Sequence, residues 1–243
     1  MEIKSGILLT GGQGTRLGRF AKISNKHLHP IHDKLILDYS INTIKKSGIE
    51  NVTVVLGGEH FAKVVDLLKD GQELGLKINY VYQREARGIA QAINLCEPFI
   101  KDERFAVILG DNAFQKPIKY DTKSNGAEIF LNNSTNINLH QFGVVSILND
   151  VIVRFEEKPK ILSNDTDNYA VTGAYVFNRK YFEFFKSLKL SPRNEYEIID
   201  IIKQYHTCGD LKYNIQNGWW SDMGTPESIG KVLDLIKTEP VEF

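Results

Sequence analysis

Three glycines stand within four positions in Thr10-Gly11-Gly12-Gln13-Gly14-Thr15-Arg16-Leu17, directly after the apolar run Ile7-Leu8-Leu9. Such a run suits a strand buried on both faces. Glycine accepts positive φ and lets a ligand come close to the backbone. A strand that breaks into such a turn aims several N–H groups one way, which makes an anion-binding nest. Arg16 adds fixed positive charge, and so does Lys26 within Ser24-Asn25-Lys26-His27-Leu28-His29-Pro30. Together these residues read as a cradle for a polyphosphate; the plainer alternative is a glycine-rich turn that holds nothing. Two other phosphate loops are excluded. A P-loop needs Lys-Ser or Lys-Thr after its last glycine, and here Thr15-Arg16 follows. A dinucleotide fingerprint begun at Gly12 needs glycine where Leu17 stands.

Two aspartates extend the chemistry. Asp111 follows the apolar run 105–109, where a carboxylate is costly to bury unless paired or metal-bound. Asp222, in Trp219-Trp220-Ser221-Asp222-Met223-Gly224, follows another predicted strand. Two carboxylates reaching one crevice suit Mg²⁺, which takes few protein ligands and keeps phosphate oxygens and waters. Each taken singly also reads as a cap or turn residue. His27, His29 and His32 raise zinc, since an extended segment would put His27 and His29 on one face. No cysteine is near, however, and Asp33 is the closest carboxylate, so packing or phosphate-proximal roles are expected. Trp219 is expected in the core and Trp220 on a pocket wall.

The elements that must position these residues follow from hydrophobic period. Leu35, Ile36, Leu37, Ile41 and Ile44 recur at helical spacing, with Gly48 as the stop. Residues 61–68 and 88–97 read as further helices, and 52–56, 78–82 and 105–109 as strands. Strands alternating with helices imply βαβ units and right-handed crossovers. Ligands in such sheets sit outside the carboxyl ends of the strands. Residues 10–26, 83–88 and 110–112 all lie at predicted carboxyl ends, so three segments point to one crevice. The second half is less regular. Strands are expected at 127–131, 143–147, 151–155 and 169–177, with a turn within 146–150. Helices are expected at 179–188, 195–206 and 225–237, and 239–243 as a fraying tail. The fold class is α/β: a mixed, mostly parallel central sheet flanked by helices, in a single domain over 1–243.

Composition bounds the partners. The 243 residues carry 30 Lys plus Arg and 30 Asp plus Glu, so bulk charge points to neither nucleic acid nor an anionic membrane. Cys96 and Cys208 are far apart and form no metal spacing, which favours reduced thiols and a cytoplasmic protein. The N-terminus lacks a signal-peptide apolar region, and no apolar run approaches the ~20 residues of a membrane span.

Gly-Gly-x-Gly-Thr-Arg-Leu, with Lys26 and then Pro30 after it, resembles the signature of the sugar-1-phosphate nucleotidyltransferases, over about 3–229 and in a short form of the family. The resemblance implies a Rossmann-like fold with a nucleotide-binding half at about 1–115 and a sugar-phosphate-binding half at about 116–243. It implies transfer from dTTP to glucose 1-phosphate with Mg²⁺ held by Asp111 and Asp222; uridylyl transfer stays open. Arg16 and Lys26 are then the catalytic cations. Leu9, Gly11, Gly12, Gly14, Thr15, Arg16, Gln83, Gly88 and Asp111 are the implied nucleotide contacts. Gln83 carries both donor and acceptor atoms for a pyrimidine edge. Asn112, Gly143, Glu157, Lys158, Val171 and Trp220 are the implied sugar-phosphate contacts, with Glu157 on a sugar hydroxyl and Lys158 on the phosphate. Arg84 and Arg87 stand where relatives often carry Pro and Asp, and Phe142 where many carry Tyr. A homo-oligomer is also implied. A glycosyltransferase using nucleotide sugars could share the sheet, but its Asp-x-Asp mark is missing, because Asn112-Ala113 follows Asp111. A catalytically dead nucleotide sensor is disfavoured by the retention of Arg16, Lys26, Asp111, Lys158 and Asp222.

Overall fold

The structure, a computed structural model, describes residues 2–12, 14–133 and 137–243. Its first half alternates as expected: β1 (Ser5–Leu9), a short hairpin of β2 (Pro30–Ile31) and β3 (Lys34–Leu35), α1 (Ile36–Lys46), β4 (Asn51–Leu56), α2 (Phe61–Leu68), β5 (Lys77–Tyr82), α3 (Ile89–Asn94), β6 (Arg104–Leu109) and β7 (Asn112–Phe114). The second half adds β8 (Ala127–Asn132), β9 (Gly143–Leu148), β10 (Val151–Glu157), β11 (Asp167–Asn178), α4 (Lys180–Lys186), α5 (Ile198–Thr207), β12 (Leu211–Ile215), β13 (Trp220–Asp222) and α6 (Pro226–Thr238).

Nine strands join one mixed sheet with a parallel core, in the order β10-β9-β11-β6-β1-β4-β5, with β8 on β11 and β12 on β8. The parallel run β6-β1-β4-β5 carries the predicted carboxyl-end segments. The long β11 pairs antiparallel with β6, β8 and β9. The β9–β10 hairpin turns at Asn149 and Asp150, both at positive φ, which is the backbone a tight hairpin needs.

Apolar runs are buried on both faces, as strand period requires. Ile7, Leu9, Val55 and Val107 face one layer with Ile93, Tyr181, Ile202 and Tyr205. Leu8, Val54, Leu56 and Ile108 face the other with Leu37, Ile41 and Ile44 of α1 and Val64 and Leu68 of α2. The Asp38 carboxylate caps α1 by accepting from Leu35 N–H at 2.7 Å, and Lys45 and Lys46 lie in its last turn, where they complement the dipole. A third cluster joins Ile31, Ile36, Ala113, Trp219 and Met223 to Val232 of α6. This cluster anchors the β7–β13 pair.

One expectation needs correction. Residues 239–243 do not fray: Trp219 Nε1–H donates to Glu239 O at 2.9 Å, and Asn42 Nδ2 donates to Glu242 O at 2.7 Å. The Phe243 ring meets Tyr39 edge-on at 5.1 Å. An aromatic terminus finding an aromatic side chain of α1 outweighs the fraying that Glu239-Pro240 suggests. Of the three loop glycines, only Gly14 takes positive φ (63°); Gly11 and Gly12 serve close approach instead.

Candidate active site

The short β7–β13 pair decides where the carboxylates meet. Asp222 is the register partner of Asn112, and Met223 N–H donates to Asp111 O at 2.7 Å. Asp111 and Asp222 thus emerge side by side at the carboxyl end of β6. Arg16 comes to the same point from the other side. A Cβ at Gly224 would meet Asp222 Oδ2 at 2.9 Å and Arg16 Nη2 at 3.5 Å.

Lys26 reaches Asp111 from a 3₁₀ turn over Lys26–Leu28. Asn25 holds that turn: its Oδ1 accepts from His27 N–H at 3.0 Å and contacts His27 Nδ1 at 2.7 Å, while its Nδ2 lies 3.5 Å from Thr10 O. The Lys26 ammonium forms a short ion pair with Asp111 Oδ2, and a Cβ on Gly12 would lie 3.3 Å from Lys26 Nζ. His27 is buried, and burial with the adjoining Lys26 charge lowers its pKa to about 3. It packs as a neutral imidazole, and no cluster of metal-binding side chains forms around it among the described residues.

The two aspartates differ in charge state. Burial works against ionisation of Asp111, but Lys26 outweighs it and holds the carboxyl well below the usual range. Burial and the Asp111 charge push Asp222 up to about 6, against the pull of Arg16 and Lys26. The donor set therefore fits the Mg²⁺ that the sequence implied: a divalent cation would relieve the repulsion between the carboxylates. That cation needs only one or two protein carboxylates beside phosphate oxygens and waters.

The aspartates and cations share one cavity of about 540 Å³ with Leu9, Gly11, Gly12, Gln83, Gly88, Gly143, Val171 and Trp220. Asn112, Glu157 and Lys158 line it too. Of the expected site residues, Gly14 is outside the lining, and its Cβ position faces Lys26 Cβ at 3.3 Å. Thr15 opens the 3₁₀ segment Thr15–Lys22, and its side chain, like Gln13, lies outside the described residues. The Asn112 amide is engaged at both its oxygen and its nitrogen. Its Oδ1 accepts from Trp220 Nε1–H (2.6 Å) and Gly173 N–H (3.0 Å), and its Nδ2 donates to Asp111 Oδ1 (3.0 Å). Trp220 is buried, edge-on to Phe142 at 5.1 Å, and Trp219 is in the core. Lys158 follows β10 at φ 46°, its N–H bonded to Phe142 O at 3.0 Å.

The cavity lining also contains residues that sequence reasoning passed over. Arg193 Nη2 reaches Glu157 Oε1 at 3.1 Å, Glu195 Oε2 at 3.2 Å and Glu197 Oε2 at 2.6 Å. Burial, reinforced by Glu197 and eased by Arg193, raises the pKa of Glu157. The same loop packs on the Gln83 segment: Tyr196 N–H donates to Arg87 O at 2.8 Å. A Cβ on Gly88, at φ 93°, would strike Tyr196 O at 2.6 Å, so this position requires glycine twice over. The Thr172 hydroxyl is buried at the cavity wall without a hydrogen-bond partner among the described residues. The only signal for the Arg193 loop in the sequence was its density of charge ahead of α5.

A family model described as "Nucleotidyl transferase" matches residues 5–239, nearly the whole chain. The chain belongs to this family. Its fold is the family's, and it is an enzyme of nucleotide-sugar biosynthesis. It is 34% identical, over 96% of its length and 82% of the relative's, to the glucose-1-phosphate thymidylyltransferase of Neisseria meningitidis. A Bacillus anthracis crystal structure, of a proposed glucose-1-phosphate thymidylyltransferase with a sucrose, superposes with a TM-score of 0.88 at 38% identity. The match covers 98% of this chain and 96% of that one. A UDP-glucose pyrophosphorylase complexed with UDP-glucose matches at TM-score 0.81 but 22% identity, over 97% and 99% of the two chains, which speaks to the fold alone. Among the described residues no helix is long and apolar enough to cross a membrane.

Proposed function

We propose that the chain transfers a thymidylyl group from dTTP to glucose 1-phosphate, giving dTDP-glucose and pyrophosphate. One observation carries this reading. Lys26 pairs with Asp111 and Arg16 approaches Asp222 within a single cavity that Gln83, Gly88, Glu157 and Lys158 also line. Such a cavity suits two anionic substrates and the base of one of them.

The chemistry follows from the charges. An oxygen of the sugar phosphate attacks the α-phosphorus, and the bond to the pyrophosphate oxygen breaks. The attacking oxygen is already anionic, so no general base is needed. Catalysis reduces to alignment and charge neutralisation. Lys26 and Lys158 screen the repulsion between the substrates, and Arg16 meets charge developing on the leaving pyrophosphate. Asp111 and Asp222 would hold Mg²⁺, which when bound supplies further neutralisation of triphosphate charge. Asn112, with its amide committed on both sides, braces Trp220 and Asp111 rather than turning with the substrate. Relatives at 31–34% identity carrying the thymidylyltransferase name support the choice of dTTP and glucose 1-phosphate. The reading includes a cytoplasmic location, in keeping with free thiols at Cys96 and Cys208.

The test is product analysis by ³¹P NMR with dTTP, UTP, CTP, ATP and GTP, each with glucose 1-phosphate and Mg²⁺. dTDP-glucose and stoichiometric pyrophosphate are expected. UTP is expected to work less well, since one methyl group in an apolar pocket is worth only ~1–3 kcal/mol. Efficient use of ATP or GTP, or release of pyrophosphate without sugar phosphate, would overturn the assignment.

A further inference from the structure

Gln83 is buried on the cavity wall, and its amide can turn either its oxygen or its NH₂ group toward a nucleobase. Its orientation is fixed from behind. Gln83 Nε2 donates to Gln91 Oε1 at 2.7 Å and lies 3.5 Å from Gly88 O. Gln91 sits in α3 and is not part of the cavity lining. Two facing amides could both be reversed and still bond to each other. The Gly88 carbonyl breaks that symmetry, because a carbonyl only accepts. Reversal would set Gln83 Oε1 against Gly88 O, two acceptors with no proton between them. Gln83 Oε1 is therefore the end that lies toward Gly11, with 3.0 Å to a Cβ built there, on the cavity wall.

We propose that Gln91 is a positioning residue for base selection: it locks the Gln83 amide so that an acceptor oxygen, not a donor NH₂ group, meets the base. The ligand class follows. A pyrimidine with a protonated ring nitrogen between two carbonyls, as in thymine or uracil, donates to that oxygen. Cytosine presents an unprotonated ring nitrogen there, so two acceptors would face each other in a buried site. Such mismatches are rejected far more strongly than a missing methyl group. Without Gln91 only the long 3.5 Å approach to Gly88 O opposes reversal, a weak restraint at that distance, so the amide turns about its last torsion and serves both bases. This inference rests on reading the crevice as a nucleoside triphosphate site.

The experiment compares kcat/KM for dTTP and CTP, with glucose 1-phosphate, in wild type, Gln91→Leu, Gln91→Met and Gln91→Glu, each checked by thermal unfolding. Glutamate keeps an oxygen that accepts from Gln83 Nε2; leucine and methionine remove it. Wild type is expected to favour dTTP by roughly a hundredfold or more. Gln91→Leu and Gln91→Met are expected to lose at least about tenfold of that ratio, chiefly through better use of CTP. Gln91→Glu should keep the ratio within about threefold of wild type. An unchanged dTTP-to-CTP ratio in folded Gln91→Leu and Gln91→Met, or an equal loss in Gln91→Glu, overturns the lock alone. A wild-type chain that turns over neither dTTP nor UTP overturns the underlying reading, and the lock with it.

Discussion

Lys26 and Lys158 both line the cavity but are held in different ways, so their loss should be felt in different kinetic constants. Lys26 is mostly buried and locked to Asp111, whereas Lys158 is exposed and bonded only loosely to Glu157, at 3.9 Å. Lys26→Ala is expected mainly to lower kcat, because its charge matters most as the α-phosphorus reorganises. Lys158→Ala should mainly raise the KM for sugar phosphate. Steady-state kinetics on both variants check this; indistinguishable effects would remove the distinction. His27 offers a second residue-scale test. An unfolded histidine titrates near 6.5, whereas buried His27 takes a proton only at about 3. Between those values the unfolded chain binds more protons, so stability falls as pH drops below about 6.5. From pH 6.5 to 5 the loss from this group is about 2 kcal/mol. Asp222 and the other carboxylates titrate in the same window in both chains. Urea unfolding should therefore show wild type losing more stability than His27→Gln between the two pH values, by about 2 kcal/mol, and equal slopes would contradict the neutral buried ring. The glycine loop, Arg16, Lys26 and both aspartates were legible in the sequence because each lies at a strand end or in a dense local pattern. Arg193, Glu195 and Glu197 were not, because only the tertiary approach of their loop to Glu157 and Gly88 brings them to the cavity.

The strands that bear the site are braced by a buried ion pair that sequence reading did not single out. Arg104 opens β6, and its Nη2 pairs closely with Glu128 of β8, both nearly inaccessible to solvent. Glu128 Oε2 also accepts from Asp121 N–H at 2.9 Å and from Asn214 Nδ2 of β12 at 3.1 Å. Removing one partner would strand a buried charge. Arg104→Met is therefore expected to destabilise the fold by about 3–5 kcal/mol, and Arg104→Met with Glu128→Gln by less than the sum of the two single changes. Chemical denaturation of the three variants measures both; strict additivity would show that the pair acts as two independent groups. The long apolar strands and α1, α2, α5 and α6 were readable from period alone, since each buries a continuous face. The short β7 and β2–β3 pieces carry too few residues for any period to register. β12, Leu-Lys-Tyr-Asn-Ile, is half polar because it lies at the sheet edge beside β8. β7 matters most, since its pairing with β13 sets Asp111 against Asp222.

At the scale of the molecule, one sheet runs through both halves of the chain: β6 joins β1 on one side and β11 on the other. The residues expected to cradle a triphosphate in the first half and those expected to meet a sugar phosphate in the second thus open onto the same crevice. The alternation of strands and helices up to residue 109 made the parallel core predictable. The antiparallel addition was less so, because β11 pairs with three other strands that sequence order alone does not choose among. On the proposed function, the two carboxylates in this crevice serve nucleotidyl transfer and not the fold. Asp222→Asn keeps the side chain's shape and removes its repulsion with Asp111, so the variant should fold as well as wild type. The deciding measurement is its rate of pyrophosphate release from dTTP and glucose 1-phosphate at saturating Mg²⁺, with thermal unfolding recorded in parallel. The expected result is an unfolding temperature at or above that of wild type and turnover lower by roughly a thousandfold, about 4 kcal/mol of transition-state stabilisation. Near-normal turnover in a folded Asp222→Asn variant would contradict it.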